Sequence, residues 1–574
     1  MSTSTSEKQA KNEALLQDQT NLLPRKQLLI VFSTMASAFL VAYADQNGIA
    51  VALPTMAEDL NAADTIAWAG TSSMIANTLF QVLYGRLSDI FGRKIIYLSA
   101  VALLAIGDIL CATAVNAPML YVARGLAGIA IGGVNSLTMM IVSDIVSLQE
   151  RGRYQGIIGS CIGLGNTIGP FLSAGFTQSS KTSWRGFFFL LSPLMLCSGV
   201  ASFFLLPSTP MAKGQGLQKA RLVDWWGLLT GTVAIVLFLI PVSGGGSYFQ
   251  WNSPLVISML SIAGVATVAF LLVEWKVSKL PMVPMRMFKT PAVAVILLQN
   301  FLFGYVYYSE LYYLPIYFQN VRRVSPIVSA ALLTPLVVAQ MIFSVGSGFY
   351  ITRFSRYGEV IWSGFTCWTL GAGLLCILGQ GTNLAVPVIA QMIIGVGVGN
   401  VFQPCLIALQ AHSPKALRAV VISNRNFLRA LGGAVGLACS SQLLQSSLRR
   451  ALPEELRHLV ASSYKLPDLG SLSSSQATQL ESAYAQASHD VFISMVPIMG
   501  LCLVLCVFIK DRGLSTKEVK PASEAAEAAG PGPADQEAQG QDSGKDVSPS
   551  DTASAGADSE KGEPTPVKPA SRTG

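Results

Sequence analysis

The 574-residue sequence is short of charge, with 12% Asp, Glu, Lys and Arg against 51% hydrophobic residues. Soluble chains carry about a quarter charged residues, so this composition, with a mean hydropathy of +0.49, points to a bilayer. Histidine is nearly absent: His412, His458 and His489 all lie outside the cores of the apolar runs, which leaves carboxylates as the candidate proton carriers. The phosphate-binding G-x-x-x-x-G-K-[ST] sequence and the zinc motif H-E-x-x-H are both missing, so ATP-driven and zinc-hydrolase readings fall away. Gly395-Val396-Gly397-Val398-Gly399 echoes a dinucleotide loop in letters only, because it sits inside an apolar run and not between a strand and a helix. Cysteines occur at 111, 161, 197, 367, 376, 405, 439, 502 and 506, all within apolar runs and without ligand spacing, where a thiol acts as a small hydrophobe. No enzyme activity, metal or cofactor is expected, and the work must be driven by a gradient. Beyond Ser515 there is no aromatic residue at all, so that segment cannot bury enough surface to fold.

What the chain does have is long apolar runs. Fourteen of them lie near 28–52, 67–84, 95–115, 120–142, 156–176, 187–206, 226–243, 255–273, 292–318, 328–351, 360–378, 384–409, 427–444 and 491–509. Each is long enough, at roughly 20 residues, to cross a hydrocarbon core of about 30 Å. Basic residues crowd alternate loops: Arg86, Arg93, Lys94, Arg151, Arg153, Arg353, Arg356, Arg418 and Arg425 fall on one side, but only Lys181, Arg185, Arg322 and Arg323 on the other. The positive-inside rule then places both termini in the cytoplasm. The net charge of +7 reflects this bias and does not imply nucleic-acid binding.

The resulting plan is an all-α integral membrane protein with 14 transmembrane helices arranged 6 + 2 + 6. A cytoplasmic tail (1–26) precedes a six-helix bundle (27–207), two inserted helices (208–291) and a second six-helix bundle (292–510) with a long outer connection (445–490). A disordered cytoplasmic tail (511–574) closes the chain. The halves echo one another: Ala52-Leu53-Pro54 ends run one, and Tyr313-Leu314-Pro315 lies in run nine. The dense cluster Gly85-Arg86-Leu87-Ser88-Asp89-Ile90-Phe91-Gly92-Arg93-Lys94 has a worn counterpart at 348–356, where Thr352 replaces Asp89 and Ser355 replaces Gly92. Repeated halves around a midplane site are the organisation of a rocking transporter.

These motifs resemble the major facilitator superfamily, and within it the fourteen-span drug:proton antiporter branch with fungal-type loops. The cluster from Gly85 to Lys94 matches the loop 2-3 signature G-x-L-x-D-x-x-G-R-K. Asp45 to Pro54 is similar to the first-helix motif, with Asn47 and Ala50 in place of Thr and Asn. The stretch from Leu120 to Gly128 is similar to the fourth-helix motif, and Gly165-Asn166-Thr167-Ile168-Gly169-Pro170 to the fifth-helix antiporter motif. The resemblance implies proton-coupled export of small organic compounds (drugs, toxins or secondary metabolites) by alternating access, by a monomer in the plasma membrane. Uptake or vacuolar transport of amino acids, siderophores or organic acids stays open, as does a transporter-like nutrient sensor.

Candidate site residues follow from charge placed where charge is costly. Asp45 in run one and Arg124 in run four lie at overlapping depths, so they are expected to pair, with Asp45 carrying the proton and Arg124 tuning it. Glu310 lies among Tyr307, Tyr308 and other aromatics as a second proton or charge-selecting group, with both acids toward the central cavity. Gly85, Asp89, Gly92, Arg93 and Lys94, with Asp144 at the end of run four, form a candidate inner latch. Gly165, Gly169 and Pro170 shape the antiporter helix. Asn77, Gln81, Tyr307, Tyr308, Gln340 and Gln403 are candidates to line the substrate cavity. Asp108, also within a run, is open between a structural and a functional role.

Overall fold

A computed structural model describes residues 22–62, 65–66, 68–147, 150–177, 183–207, 223–244, 249–414, 417–454, 473–511 and 513. Most of the two expected tails and the middle of the outer connection lie outside the described residues. Among the described residues the helices run α1 (Arg25–Asp59), α2 (Trp68–Phe91), α3 (Arg93–Ala112), α4 (Ala117–Ile145), α5 (Arg151–Thr177), α6 (Arg185–Leu205), α7 (Trp225–Gly244) and α8 (Pro254–Leu272). They continue as α9 (Pro291–Asn320), α10 (Pro326–Phe354), α11 (Gly358–Leu375), α12 (Ala385–Ala411), α13 (Arg418–Ala451) and α14 (Ser474–Leu505).

Each expected run therefore appears as a helix, but among the described residues 12 are both long and apolar enough to cross a membrane by themselves. The exceptions are α2 and α11. Asn77, Gln81, Arg86 and Asp89 dilute the first, while Glu359 and a spread of Gly, Ser and Thr dilute the second. The helices flanking the outer connection also extend into it: α13 continues to Ala451, and α14 begins at Ser474 behind a capping box in which Ser473 and Gln476 satisfy one another's backbone. The connection is thus shorter than 445–490, because polar residues can continue a helix that has already left the apolar layer.

Local chemistry sets the breaks. Asn116 caps α4 by accepting from the Met119 amide at 2.9 Å, with Pro118 in the first turn. Gly92 separates α2 from α3 at φ +95°, a conformation that strains any residue with a Cβ. At the matching break between α10 and α11, Ser355 takes φ +56°, so the repeat keeps the left-handed turn without the glycine.

Burial divides the helices into two bundles. One core gathers Phe39, Leu104, Ile131 and Phe187 from α1, α3, α4 and α6. The other gathers Phe303, Tyr317, Trp368 and Met495 from α9, α11 and α14. Large apolar side chains cover the outside, with Phe204 77% and Val265 72% exposed, which is tolerable only against lipid. The bundles meet along α5 with α10 and along α2 with α13. A Cβ added at Gly156 would lie 2.5 Å from the Ser344 carbonyl, and one at Gly85 would lie 2.9 Å from the Ser423 Cβ. Those close approaches lie toward the basic-loop end, so the two bundles are in contact at that end.

Candidate functional site

Between the bundles lies a narrow cavity with room for little more than a water molecule in this closed arrangement, lined by Tyr43, Gln46, Asn47, Ile162, Asn166, Tyr307, Tyr308, Leu311, Phe402 and Arg429. A ladder of polar contacts crosses it. Asn47 donates to Asn166 at 2.8 Å, Asn166 donates to the Tyr307 hydroxyl at 3.1 Å, and that hydroxyl donates to Gln340 at 3.3 Å. Asn166 is on α5 and Tyr307 on α9, so the second contact joins the two halves.

Packing explains why these groups meet. A Cβ at Gly165 would come 2.6 Å from the Tyr43 Cβ, and the missing side chain lets α5 settle on α1. Gly169 meets Ala44 in the same way, and Pro170 lies within the helix one residue on. Across the molecule a Cβ at Gly433 would lie 2.8 Å from the Tyr308 Cγ, so glycine there seats α13 against α9.

Arg429 is the cation of the cavity. It is 5% exposed, one guanidinium nitrogen reaches the Tyr43 hydroxyl at 3.4 Å, and its Nη1 has no hydrogen-bond partner. The guanidinium also lies 5.1 Å from the centre of the Phe402 ring. One turn below, Arg425 is fully buried; it donates to Asn426 at 2.9 Å and to the Phe402 carbonyl. Among the described residues neither arginine forms an ion pair. Loop arithmetic had placed Arg425 among the cytoplasmic interface charges, but α13 carries it inward, because a helix starting at Arg418 buries Arg425 and Arg429 on one face.

The expected pair is on the page as geometry. Arg124 Nη1 donates to both oxygens of Asp45 at 2.8 and 2.9 Å, with both side chains wholly buried. Ser73 is 3.4 Å from the same guanidinium, and the Phe188 ring centre is 5.7 Å away. Asp45 points into the first bundle while its neighbours Gln46 and Asn47 line the cavity. Asp108 is equally buried and has no hydrogen-bond partner on either oxygen, and it lies within electrostatic reach of both Asp45 and Arg124.

Glu310 likewise turns from the cavity. Trp368 Nε1 donates to its two oxygens at 3.1 Å each, inside the second bundle. The Trp368 ring stands 6.4 Å from Tyr307 and 6.1 Å from Phe402, so the carboxyl sits behind the aromatic wall of the cavity. The expectation that both acids face the cavity is corrected on this point: each is held by a partner within its own bundle, where desolvation is offset by a hydrogen-bonding donor.

Of the residues expected to line the cavity, Tyr307 and Tyr308 do so and Gln340 backs Tyr307. Asn77 and Gln81 instead bond to each other at 2.6 Å in α2, one turn apart. Gln403 is buried with both amide atoms unpartnered and packs at the bundle interface, its Cγ 2.8 Å from where a Gly159 Cβ would stand. Tyr43, Asn166, Phe402 and Arg429 were not singled out as lining residues, although the Arg425, Arg429 spacing within run thirteen was a readable signal.

At the basic-loop end, Arg93 bridges Asp89 at 2.7 Å and Asp144 at 2.9 Å, joining α2, α3 and α4. Lys94 donates to the Leu206 carbonyl at 2.8 Å. All of these contacts lie within the first bundle. Gly85 and Arg86 face the rest of the molecule, as does Ile90 beside Leu280: Gly85 abuts Ser423, and Arg86 Nε donates to the Pro281 carbonyl at 2.6 Å.

The family model "Major Facilitator Superfamily" matches residues 35–437, more than half of the chain. The chain belongs to the major facilitator superfamily. This transporter is 50% identical over 522 residues to "Citrate exporter 1" of Yarrowia lipolytica, covering 90% of the present chain and 77% of the relative. It is 42% identical to "MFS-type transporter clz4" of Cochliobolus lunatus over 88% and 89% of the two chains. With "Efflux pump dotC" of Dothistroma septosporum it shares 33% identity over 74% of this chain and 73% of that one. Among solved structures, the proton:xylose symporter XylE aligns with TM-score 0.57 at 14% identity, over 86% of this chain and 98% of that chain, and shares the fold. The transporter is an integral membrane secondary carrier of small molecules and not an enzyme.

Proposed function

We propose that this transporter exports small organic anions, of the size and charge of a tricarboxylate, by proton-coupled alternating access. The observation that carries the reading is Arg429: a buried cation at the cavity wall with an unpartnered nitrogen, seconded by Arg425 one turn away and, among the described residues, ion-paired to no acid. Two desolvated guanidinium groups are costly unless a ligand supplies the negative charge, and the planar fork of arginine suits a carboxylate in two-point contact. The hydroxyls of Tyr43, Tyr307 and Tyr308 and the amides of Asn47 and Asn166 supply donors for the remaining oxygens. The name of the half-identical Yarrowia lipolytica relative agrees with that chemistry. An aromatic, uncharged or cationic substrate of the toxin-efflux kind would leave the two arginines uncompensated.

In this reading Asp45, with Arg124, and Glu310 take up and release the proton within the two bundles, each close behind a residue of the cavity wall. Gly85, Asp89, Gly92, Arg93, Lys94 and Asp144 stiffen the cytoplasmic end of the first bundle, so that it rocks as one body. Gly165, Gly169 and Pro170 fit α5 to α1 and hold Asn166 at the cavity.

The test uses purified transporter in proteoliposomes with an imposed pH gradient and labelled citrate. Wild type should move citrate, Arg429→Gln should lose at least about tenfold in kcat/KM, and Arg429→Lys should recover part of it through charge alone. Equal flux in wild type and Arg429→Gln would overturn the assignment.

A further inference from the structure

The inserted helices are usually read as a spacer between two working bundles, yet the segment that leaves them is bonded to both bundles at the closed end. After α8 the chain makes a single π-turn, Val273–Val277, and then passes through a bent, irregular segment at 278–284 to a short 3-10 turn at Met285–Lys289. Consecutive carbonyls of that segment are taken by opposite halves of the molecule. The Pro281 carbonyl accepts from Arg86 Nε of α2 at 2.6 Å, and the Met282 carbonyl accepts from Asn424 Nδ2 of α13 at 3.0 Å. Side chains follow the same division. Met282 clusters with Val82 and Leu83 of α2, with Phe427 of α13 packed against that cluster, and Leu280 clusters with Ile90 of α2.

One side chain sets the conformation of this stretch. Glu274, 1% exposed in the π-turn, accepts the Met282 amide on Oε1 and the Val283 amide on Oε2, each at 3.1 Å. Its carboxyl ties the bent segment back to the end of α8 by its amides, while the Pro281 and Met282 carbonyls are taken by Arg86 and Asn424. Arg86 and Asp224 lie within its electrostatic reach. Glu274 lies within the π-turn that ends α8, from which it reaches the amides eight and nine residues on.

We propose that the segment 280–285 is a strap across the cytoplasmic gate and that Glu274 is its positioning residue. When the cytoplasmic side opens, α2 and α13 must separate, and the strap cannot keep both carbonyl bonds. Its attachment therefore stabilises the cytoplasm-closed conformer over the cytoplasm-open one, and the inserted pair α7–α8 acts on the gate through it. The proposal rests on the alternation of the two bundles and is independent of which molecule is carried.

The test reads both faces of the full-length protein in oriented membranes. Ser423→Cys places a thiol at the contact with Gly85 on the cytoplasmic side, and Leu311→Cys places one at the outer end of the cavity; a membrane-impermeant maleimide is applied from each side. Adding Glu274→Gln removes the charge and leaves one acceptor for two amides. Labelling at 423 from the cytoplasm should rise roughly tenfold or more, the equivalent of one lost hydrogen bond to a charged group, and labelling at 311 from outside should fall. Glu274→Asp, with the carboxylate kept, should lie between the two. General loosening of the fold would raise labelling at both positions. Such a joint rise, or labelling unchanged at both, would overturn the proposal.

Discussion

Replacing Arg124 by glutamine should harm the protein more than replacing Asp45 by asparagine, although the two residues share one ion pair. The reason is the third member of the buried group. Arg124 is the cation beside two wholly buried carboxylates, with Asp45 bonded at 2.8 Å and Asp108 within electrostatic reach. Asp45→Asn leaves one cation and one acid, a neutral group whose arginine still has an amide oxygen to bond. Arg124→Gln leaves two acids and no cation. Stranding a buried charge costs about 3–5 kcal/mol, whereas a charge-assisted hydrogen bond replaced by a neutral one costs about 1–2 kcal/mol. The variants should therefore differ by about 2 kcal/mol or more, with Arg124→Gln the worse. Asp108→Asn added to Arg124→Gln should recover part of the loss, a non-additivity expected for groups in one network. The measurement is reversible unfolding of purified protein in mixed micelles of increasing SDS fraction, followed by tryptophan fluorescence. Equal destabilisation by the two single variants, or the reverse order, would refute the account of a cation shared by two acids.

Three further outcomes can be checked. Gly85→Val should depress transport with the protein still present in the membrane, because its side chain would enter the space held by Ser423; unchanged flux would remove the close approach from the cycle. Trp368→Phe takes the indole donor from both oxygens of Glu310 and should cost about 1–3 kcal/mol in the same SDS titration, while Trp368→Phe with Glu310→Gln should cost less than Trp368→Phe alone. At the outer ends of α1 and α6, Asp59 accepts from Arg185 and from Trp184 Nε1, and the Arg185 bond holds its carboxyl below the ordinary 3.8. A depressed carboxyl adds stability above its unfolded value and loses it as pH falls through the folded one, so Asp59→Asn should lower stability slightly at pH 7, with the difference shrinking as pH falls below the ordinary 3.8.

How much of this was legible beforehand depends on whether a residue's environment is local in sequence. Runs of apolar residues are local, and they give the helix order. The break at Gly92 is local too, and its repeat at Ser355 shows why letters mislead: the positive φ persists though the glycine is gone. Depth was legible as well, since counting residues along runs one and four puts Asp45 and Arg124 level. The facing of a side chain was not. Asp45 and Gln46 are neighbours, yet one turns into the bundle and the other to the cavity, and only the packing of Gly165 and Gly169 on α1 decides which. Glu310 among tyrosines read as a cavity group, when its Trp368 partner lies 58 positions away. The strap was invisible for the same reason, since Glu274, Arg86 and Asn424 meet only in the folded molecule.

The central claim is that the cavity accepts small organic anions. Its most direct measurement is transport by the wild-type protein in proteoliposomes under one fixed pH gradient, with labelled citrate compared with a lipophilic cation such as tetraphenylphosphonium. The uncompensated Arg425 and Arg429 predict gradient-driven citrate movement and none of the cation. Gradient-driven movement of the cation with citrate left behind would contradict the account.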